Sequence, residues 1–160
     1  MSEIPSINDI LDQEEHIRVR GFDFNAAWFI GYHIREKAIA EKLPIAFEVY
    51  AFGQTLFFTA LQGSSREHFE WIARKRNTVL RNAHSSLLSE LKNKDDNISM
   101  EELPYIDAFQ YTDSGGSFPI LMSSGAVIGA VTVSGLASYA DHQLAAWGIE
   151  RYLEQTSVHS

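Results

Sequence analysis

The stretch SGGSFPILMSSGAVIGAVTVSGLASYA, Ser114 to Ala140, carries no charged residue in a chain of 160. A run of that length is long enough to cross a bilayer as one helix. Its composition argues otherwise, because five glycines, six serines and Pro119 punctuate it. It reads as two short buried strands, Phe118–Met122 and Val127–Val133, joined by the turn Ser123-Ser124-Gly125. No membrane span is therefore expected, and a pair of short buried strands is.

Working outward, Ser138 with Asp141 forms a capping-box pattern and opens a last helix to about Gln155, with His142 expected on its exposed side. Leu144, Ala145, Ala146, Trp147, Ile149, Tyr152 and Leu153 leave only Gln143, Glu150 and Glu154 on a polar strip. A helix apolar on so many sides calls for burial on two, and the expectation is the sheet on one and a second subunit on the other. Upstream, Tyr105–Tyr111 alternates enough to be read as a strand, and Asn93–Ser99 as an exposed loop. Ser64 or Ser65 caps a long helix running to about Leu91, with Phe69, Ile72, Ala73, Leu80, Ala83 and Leu87 as its apolar stripe. Trp71, Arg74, Thr78 and Arg81 fall on the other side, while Arg76 lies within the stripe and calls for a partner or a ligand. Ile45–Ala51 and Thr55–Leu61 form a hairpin around Phe52-Gly53-Gln54. Asp23 caps a helix to about Lys42 with Phe24, Ala27, Trp28, Gly31, Ile34 and Ala38 as its core face. Ile17 and Val19 mark a brief strand, and Ser6 with Asp9 caps a short N-terminal helix over about 6–16. The sum is an α+β fold with about five strands in a mainly antiparallel sheet, flanked by helices. One domain over 1–160 is expected, since 45% of the residues are apolar and the length suits one core.

Charge excludes as much as it suggests. With 13 Lys and Arg against 21 Asp and Glu the net charge is −8, which disfavours nucleic acid as a partner. The absence of cysteine removes thiolate zinc sites, iron–sulfur clusters and cysteine nucleophiles, and fits a reducing compartment. The opening MSEIPSINDILDQEEH is acidic and lacks a signal-peptide pattern, so a cytoplasmic location is expected. None of the six histidines shows HxH or HExxH spacing, and no metal site is expected. Asp113-Ser114-Gly115-Gly116 resembles the nucleophile segment of chymotrypsin-like proteases. The chain is too short for two barrels, however, and the segment reads as a glycine turn. The average charge also hides a contrast. No Lys or Arg occurs between Asp95 and Glu150, whereas Arg66, Arg74, Lys75, Arg76 and Arg81 cluster with only Glu67 and Glu70 among them. Such a cluster suits a carboxylate or phosphate.

Three blocks carry a resemblance to a known family. They are Phe57-Phe58-Thr59-Ala60-Leu61-Gln62-Gly63 with Trp71-Ile72-Ala73-Arg74-Lys75-Arg76-Asn77-Thr78-Val79; Gly115-Gly116-Ser117-Phe118-Pro119-Ile120; and Gly129-Ala130-Val131-Thr132-Val133-Ser134-Gly135-Leu136 with Asp141-His142 beyond it. Together they resemble the GlcG/HbpS-like haem-degrading-domain family, in its branch of small conserved proteins of bacteria and fungi, over about 24–153. The resemblance implies a profilin-like or PAS-like layout and assembly into dimers, rings or shells. Lys75 and Thr78 hold the family's Lys and Thr positions on the central helix, and the glycine pair, Pro119, Ser134-Gly135 and Asp141 match other recurring ones. The expected function is a homo-oligomer, a dimer or larger, with a pocket for a small anion or small molecule on the central helix. Its candidate residues are Arg74, Lys75, Arg76, Thr78, Gly115, Gly116, Ser134, Gly135, Asp141 and His142, with Arg74, Lys75 and Arg76 facing the two glycine segments. Two alternatives stand beside it, a haem-binding or haem-degrading protein with haem as cofactor, and a structural assembly or adaptor protein.

Overall fold

The computed structural model describes residues 4–158. An open five-stranded sheet organises the chain. Its strands are β1 (Arg18–Val19), β2 (Ala46–Ala51), β3 (Gln54–Ala60), β4 (Ser117–Met122) and β5 (Val127–Ser134), in the order β1-β4-β5-β2-β3. Only β1–β4 is parallel; the other three pairings are antiparallel. The helices are α1 (Ile7–His16), α2 (Phe24–Ala40), α3 (Arg66–Asn82), α4 (Ser86–Asp95) and α5 (Ser138–Val158). The α+β class and the two uncharged strands are as expected. Among the described residues no helix is long and apolar enough to cross a membrane.

Side-chain alternation sorts the two faces of the sheet. Phe47, Val49 and Ala51 of β2, with Phe118, Ile120, Val131 and Val133, bury against α2 and α5 in the main core. Glu48, between two of these, points to the opposite face and pairs with Arg76 of α3, Oε1 to Nε at 2.9 Å. The Arg76 guanidinium also lies 4.4 Å from the Tyr50 ring centre. The cation inside the apolar stripe has thus found a buried carboxylate rather than solvent. The hairpin turns at Phe52 and Gly53, both with positive φ (55° and 78°), the two-residue geometry whose twist matches the strands.

Local signals set the helix starts. Asp23 Oδ1 accepts the Ala26 N–H at 2.8 Å, and Ser6 and Asp9 form a reciprocal capping box. Replacing the first of these, Asp23→Ala, leaves a first-turn N–H without its acceptor. It should cost about 1 kcal/mol of stability, read as a lower urea midpoint at unchanged slope.

Several expectations are corrected. The helix from Ser65 does not run unbroken to Leu91. Ala83 adopts φ 62°, Ser85 caps α4 through Leu88 N–H, and the buried Glu14 carboxylate of α1 accepts from Ser85 N–H at 3.0 Å and bonds His84 Nδ1 at 2.6 Å. An acceptor supplied from 70 residues away thus rewards the break. Helix α4 also extends into what reads as the Asn93–Ser99 loop. The buried face of α3 is Ile72, Lys75, Thr78 and Val79, so Thr78 faces inward, while Phe69 and Leu80 stay largely exposed. On α2 the buried set is Ala26, Ala27, Ile30, Gly31, Ile34 and Ala38, leaving Phe24 and Trp28 outside. Tyr105–Tyr111 is a series of turns rather than a strand. Asp107 gathers the N–H groups of Phe109, Gln110 and Tyr111 onto its own oxygens, which closes the chain where a strand would extend it. The second apolar side of α5 is covered by α2 within the chain, with Gly148 lying against Ile30 and Ile34. The Ser138–Asp141 capping box does not form, because both side chains have other partners in the site below.

Candidate functional site

Helix α3 crosses the sheet so that Lys75, near its middle, reaches the end of β5. Its Nζ donates to the Val133 carbonyl at 3.0 Å and to Asp141 Oδ2 at 3.2 Å. Both side chains are almost wholly buried, at 5% and 2% exposure. Asp141 is the fourth residue of α5, and its other oxygen accepts the Leu136 N–H at 2.9 Å. The carboxylate therefore ties the β5–α5 connection to α3. Burial pushes Asp141 up to about 6, against the lowering pull of Lys75 and of the Leu136 and Gly135 N–H groups. Burial likewise pulls Lys75 down, with Asp141 and Glu90 opposing it. For both ions desolvation outweighs their mutual attraction, a cost characteristic of functional sites as well as of structural networks.

Two glycines let this pair sit where it does. Gly116 (φ 137°) and Gly135 (φ 138°) occupy backbone conformations that residues with side chains rarely adopt. A Cβ on Gly116 would stand 2.5 Å from the Val133 oxygen and 2.8 Å from Lys75 Nζ. Beside the pair opens a cleft of about 300 Å³, walled by His68 and Trp71 of α3, Ser114 and Gly115 of the loop before β4, and Ser134, Gly135, Leu136 and Ser138 where β5 passes into α5. Glu90 of α4 clamps the two loops together, with Oε1 accepting from Gly115 N–H at 2.8 Å and Oε2 from the Ser138 hydroxyl at 3.0 Å.

The structure thus gathers Lys75, Gly115, Gly116, Ser134, Gly135 and Asp141 in one place. It places the other candidates elsewhere. Arg74 turns to the outer side of α3, where it reaches the Tyr111 carbonyl at 3.4 Å, Glu101 at 3.7 Å and the Trp71 ring at 4.4 Å. Arg76 is held by Glu48 on the sheet. Thr78 donates to the Thr112 carbonyl at 2.6 Å and accepts the Thr112 N–H at 3.1 Å, which anchors the segment leading into the glycine turn. His142 is fully buried rather than exposed, with Nε2 at 2.6 Å from Gln13 Oε1 and its ring edge-on to Phe118. Glu90, Trp71 and His68 are not among the residues expected at the anion pocket. Glu90 has no local pattern to mark it, and Trp71 and His68 are separated from Lys75 by one and two helical turns, a spacing that would have found them once Lys75 was taken as the centre.

Residues 22–150 match the family described as Haem degrading protein HbpS-like. The chain belongs to the HbpS-like family. A relative in Psychromonas ingrahamii, a UPF0303 protein, is 40% identical over 144 residues, covering 90% of this chain and 91% of that one. Among solved structures, the crystal structure of Ybr137w protein is 27% identical with a TM-score of 0.84, covering 94% of this chain and 90% of that chain. HbpS itself shares the fold at 22% identity and a TM-score of 0.64, over 81% and 89%. For this HbpS-like chain, the Lys75–Asp141 pair and its cleft lie inside the matched region, on the loops that close the shared sheet.

Proposed function

We propose that the cleft beside Lys75 and Asp141 binds a small polar molecule through an oxygen acceptor, such as a carboxylate or carbonyl. The carrying observation is the ammonium itself. Lysine has three N–H donors, and two of them are taken by Val133 O and Asp141 Oδ2. The third is left for the cleft. Because Asp141 already balances the charge, the site suits a monoanion or a neutral acceptor better than a multiply charged phosphate. The Ser114, Ser134 and Ser138 hydroxyls and the Trp71 ring supply polar and planar walls, the mixture typical of small-molecule sites. Titration with acetate, pyruvate and inorganic phosphate, followed by tryptophan fluorescence, tests this reading. A saturable change with acetate or pyruvate is expected, weakened at least tenfold in the charge-free variant Lys75→Met with Asp141→Asn. Equal binding by that variant would overturn it.

A second reading, haem binding, is favoured by the family description. The cleft residues do not fit a haem iron. His68 accepts the Ser65 N–H on Nδ1 at 3.1 Å, which puts its proton on Nε2, the atom a ligand would use, and Lys75 is held by its ion pair. His33 and His84 suit the role better, since each is oriented through Nδ1, by the Phe29 carbonyl and the Glu14 carboxylate, as ligating imidazoles are. A hemin titration giving a saturable Soret shift that is lost in His33→Ala or His84→Ala supports haem, and a spectrum without saturation excludes it.

We also infer self-association of the chain, in a cytoplasmic setting. Its support is the large apolar surface left outside, including Phe24, Trp28, Tyr105 and Phe109 at 59%, 64%, 69% and 93% exposure.

A further inference from the structure

Phe109 is 93% exposed, yet the loop that carries it is firmly built. Its N–H is held by Asp107 Oδ1 at 2.9 Å, and the Gln110 and Tyr111 carbonyls next to it accept from Asn77 (2.9 Å) and Arg74 (3.4 Å) of α3. Arg81 packs on the Tyr111 and Tyr105 rings at 5.5 and 6.0 Å. A phenyl ring displayed on so braced a loop is a peg without a hole in its own chain.

A matching hole opens elsewhere on the same helix. Because α3 leaves the β3 edge of the sheet uncovered, a hollow of about 500 Å³ lies between them, lined by Ala46, Phe58, Ala60, Arg66 and Phe69. Phe58 and Phe69 meet edge-on there at 5.5 Å, and both remain 37% and 47% exposed. Arg66 stands over the Phe69 ring at 5.1 Å, and among the described residues it makes no ion pair. The peg's own segment carries Glu101, Glu102 and Asp107 and no Lys or Arg; Arg74 of α3 already engages Glu101 at 3.7 Å, so Glu102 and Asp107 are the acids offered to a second arginine. An exposed ring with acids beside it in sequence on one surface answers an aromatic-lined hollow with an arginine on another.

Their placement selects the occupant. Asn77, which anchors the peg, and Arg66, at the hollow, are eleven residues apart, close to three full turns, so both lie on one side of α3 about 16 Å apart. We propose that a second copy of the chain docks here, each Phe109 entering the other's hollow, with the acidic loop against Arg66. Two such points on one face are exchanged by a two-fold axis between them, so the contact closes as a dimer and does not propagate. This proposal rests on the self-association reading above and names its interface.

The chain has no cysteine, so a cross-link reports the contact without background. Phe69→Cys combined with Phe109→Cys should give a disulfide-linked dimer on mild oxidation, while each single substitution gives monomer on non-reducing gels. Light scattering of the full chain should show a dimer or larger assembly whose dissociation constant rises at least tenfold in Phe109→Ser and in Arg66→Glu, with unchanged circular dichroism. A wild type that is monomeric throughout the micromolar range would overturn both the interface and the self-association reading. A wild type that assembles, is unaffected by Phe109→Ser and forms no 69–109 cross-link would overturn this interface alone and point to the open β3 edge.

Discussion

Lys75→Met should destabilise the protein by about 3–5 kcal/mol in urea unfolding at pH 7, because it leaves the Asp141 carboxylate buried with its main counter-charge gone. The substitution keeps the length of the stem, so packing changes little. What changes is that Asp141 retains only the backbone N–H groups of the β5–α5 connection. Asp141→Asn acts in the opposite sense, stranding the Lys75 ammonium with the Val133 carbonyl, and should cost a similar amount. The two together remove both charges, and an asparagine oxygen can still accept the Leu136 N–H. The double variant is therefore expected to be more stable than the sum of the singles predicts, by about 1–3 kcal/mol. Strict additivity would show that the two groups do not interact in solution. The same double variant separates stability from binding, since it is the folded protein from which the cleft donor has been deleted.

His142 should make the wild type lose about 3 kcal/mol between pH 7 and pH 4 relative to His142→Leu. Burial holds the imidazole down at about 4, against an ordinary value of 6.5. Between those values the unfolded chain binds the proton and the folded chain does not, so this contribution to stability falls as pH drops through the window. Its neighbour works the other way. Asp141, raised from 3.8 to about 6, takes up its proton in the folded state first, and that contribution grows as pH falls from about 6 toward 4. The two adjacent residues therefore offset each other in the wild type, and the acid limb is shallow until one is removed. Comparing urea unfolding free energies of wild type and His142→Leu at pH 7, 5.5 and 4 isolates the histidine, because the packing cost of the substitution is the same at every pH. A difference that stays constant across the range would show that His142 titrates as an exposed imidazole does.

His142 also illustrates why part of the site could not be read in advance. Placed next to Asp141 at a helix start, it carries the local signature of an exposed residue. Its burial comes from α1 and β4, which deliver Gln13 and Phe118 to the ring from 129 and 24 positions away along the chain. Its Nδ1 is buried with no hydrogen-bond partner among the described residues, a feature no local pattern signals. Arg76 was legible in part. Its place within an apolar stripe announced that a partner was required, and only the sheet revealed that the partner is Glu48. Thr78 was placed on the wrong side of its helix because Phe69 and Leu80 pulled the inferred stripe toward them. Both stay largely exposed, Phe69 at the uncovered edge of the sheet, so neither belongs to the core.

What the sequence determined by itself was everything governed by neighbours within a turn or a hairpin. The Ser6–Asp9 box, the Asp23 cap, the Phe52-Gly53 turn and the two strands of the uncharged stretch all rest on contacts a few residues long, and each is where its pattern puts it. Tertiary structure decided whatever needed a distant acceptor or a covering layer. Glu14 breaks a helix 70 residues away, α2 covers the side of α5 that had looked like an interface, and Asp141 meets Lys75 across 66 residues. The uncharged stretch from Ser114 to Ala140 joins the two kinds of information. Its strands follow from composition, but the cleft lies at their ends, where an ion pair buried at a desolvation cost pins α3 and α5 across them.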